Sequence, residues 1–151
     1  MKPTMIQIPP TIPSLKHPRN VQLTGDSEYE DVDFYIRIYA GWDGSDGGSL
    51  PRFSWSILGI TPTMPVCINS FINHDFCFQS HLLTFSESNL VLARILAIPP
   101  HCRPIQQDLI NWHVWAYGWI PYYTKSQKTI TETRKWGEVR RKVKLLNTAI
   151  K

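Results

Sequence analysis

Apolar and polar residues alternate from Val32 to Ala40. Val32, Phe34, Ile36, Ile38 and Ala40 take one side, and Asp33, Tyr35, Arg37 and Tyr39 take the other. A period of two sends successive side chains to opposite faces, so this run predicts a strand with one buried face. It ends in Gly41 to Ser49, where four glycines, two aspartates and two serines leave no regular element and predict a tight polar loop. A short apolar run, Leu50-Pro51-Arg52-Phe53-Ser54-Trp55, follows. From Val66 to Ser80 the apolar residues Ile68, Phe71, Ile72, Phe76 and Phe78 fall on most faces of a helix, which predicts that the helix is buried. His74 and Asp75 sit in its middle. A second helix is expected from Glu87 to about Leu96, capped by Ser86 or Ser88, with Leu90, Leu92, Ile95 and Leu96 in the core and Asn89 in its first turn. Pro99-Pro100 stops it. Pro104 suits the first position of a third helix, running through Trp112 and Trp115 towards Gly118. His113 in that aromatic stretch reads as a packed side chain and stays outside the expected site.

The two ends differ from this body. Pro3, Pro9, Pro10, Pro13 and Pro18 block helix and disfavour a central strand, so residues 1–20 are expected to form an extended proline-rich arm. It would lie along a neighbouring subunit or remain a mobile end. At the other end, Trp136, Val139, Val143, Leu146 and Ile150 recur at spacings of three and four, which draws one apolar stripe down a helix. The expected organisation is one globular domain over residues 21–124 between that arm and a basic amphipathic helical tail over residues 125–151. The expected fold class is α+β, with a small N-terminal strand region and the glycine-rich loop packed on a three-helix core, plus the C-terminal helix.

Composition narrows the function classes. With 42% apolar and 12% aromatic residues, a chain of 151 residues can bury one modest core and is not of the disordered class. No apolar run approaches the roughly eighteen residues that cross a bilayer, and the start lacks the apolar region of a secretory signal. Cys67, Cys77 and Cys102 are too few for a disulfide framework or a four-ligand zinc site. Cys67 and Cys77 are expected as small buried thiols, with folding in a reducing cytoplasm. The tail carries nine Lys or Arg against Glu132 and Glu138. Such a tail suits nucleic acid, an anionic membrane surface or a solvated helix face.

Two adjacent titratable groups inside a buried helix need a reason, because an unpaired carboxylate there costs several kcal/mol, roughly. One is structural: backbone amides, or an arginine such as Arg52, satisfy Asp75. The other is chemical, a general base beside a metal-binding carboxylate. The residues Ser45-Asp46-Gly47-Gly48-Ser49-Leu50-Pro51-Arg52-Phe53-Ser54-Trp55 resemble the TDGASIPR-x-x-W signature of a bacteriophage family, domain of unknown function 1353. In that signature Asp46, Ser49, Pro51 and Arg52 are the matching positions. The family continues with HDYLY and AD-x-x-F helices and an aromatic helix ending in glycine. Here these blocks read His74-Asp75-Phe76-Cys77-Phe78, Ser88-Asn89-Leu90-Val91-Leu92 and Trp112 to Gly118. Asn89 stands where that family has Asp, and Ser88 where it has Ala.

More distantly, the chain is similar to phospholipase A2 and its viral capsid relatives, in which a glycine-rich loop precedes a helix bearing adjacent His and Asp. That resemblance implies His74 as base, Asp75 beside it and Asn89 as the residue that orients the imidazole. It also implies a calcium ion held by the Asp75 carboxylate and by carbonyls of Gly41, Gly44 and Gly48. Asn89 can accept a hydrogen bond from the imidazole but cannot offset a positive ring, so a slow or inactive enzyme is expected. Two roles follow: a phage-encoded, metal-dependent hydrolase of lipid esters in entry or lysis, or a non-catalytic virion component docking through arm and tail on other phage proteins. The expected location is the host cytoplasm during synthesis and then the virion. Nucleic-acid binding rests on the tail's charge alone.

Overall fold

A computed structural model describes residues 2–7, 10–17, 20–45, 65–98 and 103–142. The alternating run becomes strand β5 (Phe34–Ile38), shorter than the pattern suggested because Val32 sits in the turn that precedes it. Phe34, Ile36 and Ile38 are buried, while Tyr35 and Arg37 are half-exposed. Before it come β1 (Thr4–Gln7), β2 (Thr11–Pro13), β3 (Val21–Leu23) and β4 (Ser27–Glu30). The helices are α1 (Pro65–Ser80), α2 (Phe85–Leu96), α3 (Pro104–Tyr117), α4 (Trp119–Tyr123) and α5 (Gln127–Arg134), and β6 (Gly137–Arg141) follows them. Among the described residues the strands form two antiparallel sheets, one ordered β1-β4-β5-β6 and the other β2-β3. The protein is α+β, as the patterning predicts.

Helix α1 is apolar nearly all round because it is covered on several sides. Ile68, Ile72, Phe76 and Cys77 pack with Phe34, Ile36 and Ile38 of the sheet and with Val91 and Ile95 of α2. Cys67 and Phe71 join a second cluster with Leu92 and Leu96 of α2 and Ile110 and Val114 of α3. Burying each such side chain contributes about 1.5–3 kcal/mol, so the three-helix core against the sheet dominates stability.

Both chain ends are used inside this fold. The proline-rich segment is extended, as expected, but it is paired: β1 forms an edge of the larger sheet against β4, and β2 pairs with β3. Proline is tolerated there because neither strand must donate on both sides. The tail departs further from expectation. Residues 137–141 are strand β6, with Ile36 opposite Val139 and Ile38 opposite Gly137, not a continuation of an amphipathic helix. The open edge of β5 offers a row of unpaired backbone groups, and pairing it outweighs an apolar stripe of about four turns. Val143, Leu146 and Ile150 lie outside the described residues. The tail's cations are also engaged: Arg141 bonds Glu87, Arg140 bonds Glu138, and Arg134 caps carbonyls of Ser80 and His81.

Gly137 shows how closely α1 and β6 approach. A Cβ there would lie 2.3 Å from the Arg37 carbonyl oxygen and 2.7 Å from Phe76 Cζ. Gly137→Ala should therefore destabilise the protein by about 1–3 kcal/mol, the usual cost of overpacking, read as a lowered urea midpoint with an unchanged slope. Three smaller expectations also change. Thr84, not Ser86 or Ser88, caps α2, in a reciprocal box with Glu87; the Thr-x-x-Glu spacing was the signal. Leu90, expected in the core, is exposed. Cys67 is buried but disulfide-bonded rather than a free thiol, whereas Cys77 is free and its burial pushes the thiol well up.

Candidate functional site

The loop that follows β5 turns back along β3. Gly41 takes φ +93°, a conformation that side chains with a Cβ rarely adopt. Its amide donates to the Leu23 carbonyl at 2.8 Å, and Val21 N–H donates to Ser45 O at 2.9 Å. Gly44 sits under the Trp42 ring, where a Cβ would come within 2.6 Å. This path delivers residues 44 and 45 to α1. Ser45 Oγ donates to Asp75 Oδ2 at 2.7 Å, and Gln79, one helical turn beyond Asp75, donates from Nε2 to the Gly44 carbonyl at 2.7 Å. Two hydrogen bonds thus fix the loop to the helix that carries the His-Asp pair.

His74 and Asp75 are 1% and 4% exposed. His74 points to α2, where its Nε2 lies 3.0 Å from Asn89 Oδ1; its Nδ1 lies 3.4 Å from Asp75 Oδ1. Phe78 packs against the imidazole, ring centroids 5.2 Å apart. The structure therefore brings His74, Asp75 and Asn89 together across fifteen residues of sequence. Asn89 is buried, and its Nδ2 has no hydrogen-bond partner among the described residues.

The carbonyls expected to serve a metal are placed differently. Gly44 O is taken by Gln79, and Gly41 O accepts from Gln22 Nε2 at 3.4 Å. Asp46, Gly48, Ser49, Pro51 and Arg52 lie outside the described residues. Among the described residues no group of three or more His, Cys, Asp or Glu side chains could hold a metal. Among the described residues, Asp75 and two engaged carbonyls are fewer than the six to eight oxygens that calcium takes.

A cavity of about 390 Å³ opens beside the pair, lined by Asn20, Gly44, His74, Asp75, His113 and Lys125 among others. Part of its wall is apolar, from Phe78, Val114 and Pro121. Ser45 and Gln79 are site residues that the sequence reading missed, although Gln79 shares a helix face with Asp75 at a spacing of four. His113, set aside as a packing residue, lines this cavity. Burial holds its imidazole below the ordinary histidine value. No family model, curated protein or solved structure matches this chain.

Proposed function

We propose that the chain is a bacteriophage-encoded ester hydrolase, virion-associated or acting in entry or lysis, with His74 as general base and a lipid ester as substrate. The observation that carries this reading is the 3.0 Å contact between His74 Nε2 and Asn89 Oδ1 at the wall of a cavity. With Nε2–H donating to Asn89, Nδ1 carries the lone pair that takes a proton, and Asp75 Oδ1, 3.4 Å away, faces the N–H that then forms. A water losing that proton to Nδ1 forms its bond to the ester carbonyl carbon. The tetrahedral species then collapses, the carbon–oxygen bond to the alcohol breaks, and the proton passes from His74 to the departing alkoxide. The phage origin is supported by the loop and His-Asp blocks that resemble the bacteriophage family.

The test is fatty-acid release from phosphatidylglycerol vesicles. His74→Ala should lower the rate by about 10²–10⁴-fold, the usual worth of a positioned base. No release by the wild type, or equal release by the variant, ends the proposal. Running the assay with calcium and with a chelator decides whether the ion that the resemblance implies takes part.

A second reading, a non-catalytic virion component, has one observation in its favour. Ile105, Leu109, Trp112, Trp119 and Tyr123 are all at least 40% exposed, on α3 and the adjoining α4. Exposed aromatic residues in such number mark interaction surfaces. The arm and tail, by contrast, supply edge strands to the fold. Absence of the protein from purified particles would end this reading. No helix among the described residues is long and apolar enough to cross a membrane.

A further inference from the structure

His113 differs from His74 in what its ring nitrogens meet. Both nitrogens of His74 face protein partners, Asn89 and Asp75. His113 is 9% exposed and leans on Tyr117, ring centroids 4.9 Å apart, yet neither of its nitrogens is hydrogen-bonded among the described residues. Its nitrogens are not among the fully enclosed side-chain atoms that lack a partner, so the polar edge of the ring keeps access to the cavity it lines. Lys125 lines the same cavity; it is half-buried and has no carboxylate in ion-pair range among the described residues. The carboxylate of the cavity, Asp75, is held by the Ser45 hydroxyl. An unspent imidazole and an unpaired ammonium thus share a cavity whose remaining wall includes Phe78, Val114 and Pro121.

We propose that this cavity binds an amphiphilic anion, with an oxyanion head of the phosphate type between His113 and Lys125 and an apolar chain against Phe78 and Val114. His113 donates one ring N–H to the head, and Lys125 supplies the opposite charge. Burial keeps the His113 ring neutral near pH 7, so recognition by hydrogen bond needs no prior protonation. The proposal rests on the hydrolase reading only for where substrate sits, since binding requires no turnover.

Calorimetric titration with octyl phosphate, and separately with inorganic phosphate, tests it. Octyl phosphate should bind at least about tenfold more tightly than inorganic phosphate, a difference of about 1.4 kcal/mol. His113→Phe and Lys125→Glu should each weaken octyl phosphate by about tenfold or more. His113→Phe should melt close to the wild-type temperature, because the new ring keeps the packing against Tyr117. Octyl phosphate failing to bind at about millimolar concentration overturns the proposal, as does equal affinity for inorganic phosphate or binding that survives both substitutions. A large fall in melting temperature for His113→Phe would also overturn it, by marking a structural histidine. A wild type that binds octyl phosphate but releases no fatty acid retains this proposal and ends the hydrolase; release without octyl phosphate binding does the reverse.

Discussion

Asn89→Asp should raise fatty-acid release, by as much as about 10⁴-fold, the cost of the opposite change at the orienting residue of a serine protease. The reason lies in the two faces of an amide. As placed, Asn89 Oδ1 accepts from His74 Nε2 and leaves its own Nδ2 buried without a partner among the described residues. Turned over, the amide would donate from Nδ2 to Nε2, and the ring proton would move to Nδ1, facing Asp75 Oδ1 at 3.4 Å. In that tautomer Nδ1 cannot take a proton from water. An asparagine at this position permits both arrangements, one of them unproductive. A carboxylate accepts with either oxygen, so it enforces Nε2–H and stabilises the positive ring that forms during reaction. The measurement is initial rate for wild type, Asn89→Asp and the double variant Asn89→Asp with His74→Ala. No gain in the single variant, or a gain that persists without His74, would remove Asn89 from the site.

Replacing Asp31 by alanine should cost about 3–5 kcal/mol, the penalty for breaking a buried ion pair from one side, or a fall in Tm of about 10 °C or more at this chain length. Asp31 is fully buried in the turn between β4 and β5. Its Oδ1 accepts from the backbone amides of Asp33 and Phe34, each at 2.7 Å. Its Oδ2 accepts from the Tyr29 hydroxyl and from Arg94 of α2, again at 2.7 Å each. One carboxylate thus closes the hairpin and ties it to a helix sixty residues away, and the end of β6 is tied in as Lys142 Nζ donates to the Asp31 carbonyl. Truncation leaves the buried Tyr29 hydroxyl and half of the Arg94 guanidinium unmatched.

The same group makes stability depend on pH. Burial alone would push the Asp31 carboxyl up, but hydrogen bonds from Tyr29, Arg94 and the two amides outweigh it and hold the carboxyl below its ordinary value. A depressed carboxyl contributes stability above its unfolded value, near 3.8, and loses it as pH falls through the folded one. Glu87 acts in the same sense: Arg141 first, then the Thr84 amide, hold it at about 2, so its contribution fades between about pH 4.5 and 2. Melting curves from pH 7 to 2 should therefore fall below about pH 4.5, and Asp31→Ala should flatten part of that fall. An unchanged slope would assign the acid sensitivity to other carboxylates.

Local pattern was enough for elements whose faces are set by their own residues. The alternation around Phe34, Ile36 and Ile38 specified a half-buried strand, the apolar residues around α1 specified a covered helix, and Pro104 opens α3 where a missing N–H is harmless. The adjacency of His74 and Asp75 in that covered helix was legible too, and so was the irregular chain from Gly41 to Ser45 ahead of it. Partnership between distant segments was not. Val139 falls on a helical stripe and equally on alternate positions of a strand, and only the open edge of β5 decides between them, because backbone groups there must be paired. The proline-rich segment was readable as extended, but its pairing with β4 depends on a surface made by other residues. His113 looked like packing because aromatic neighbours surround it in sequence. That it lines one cavity with His74, Asp75 and Lys125 depends on how the helices pack together, and no local pattern encodes that.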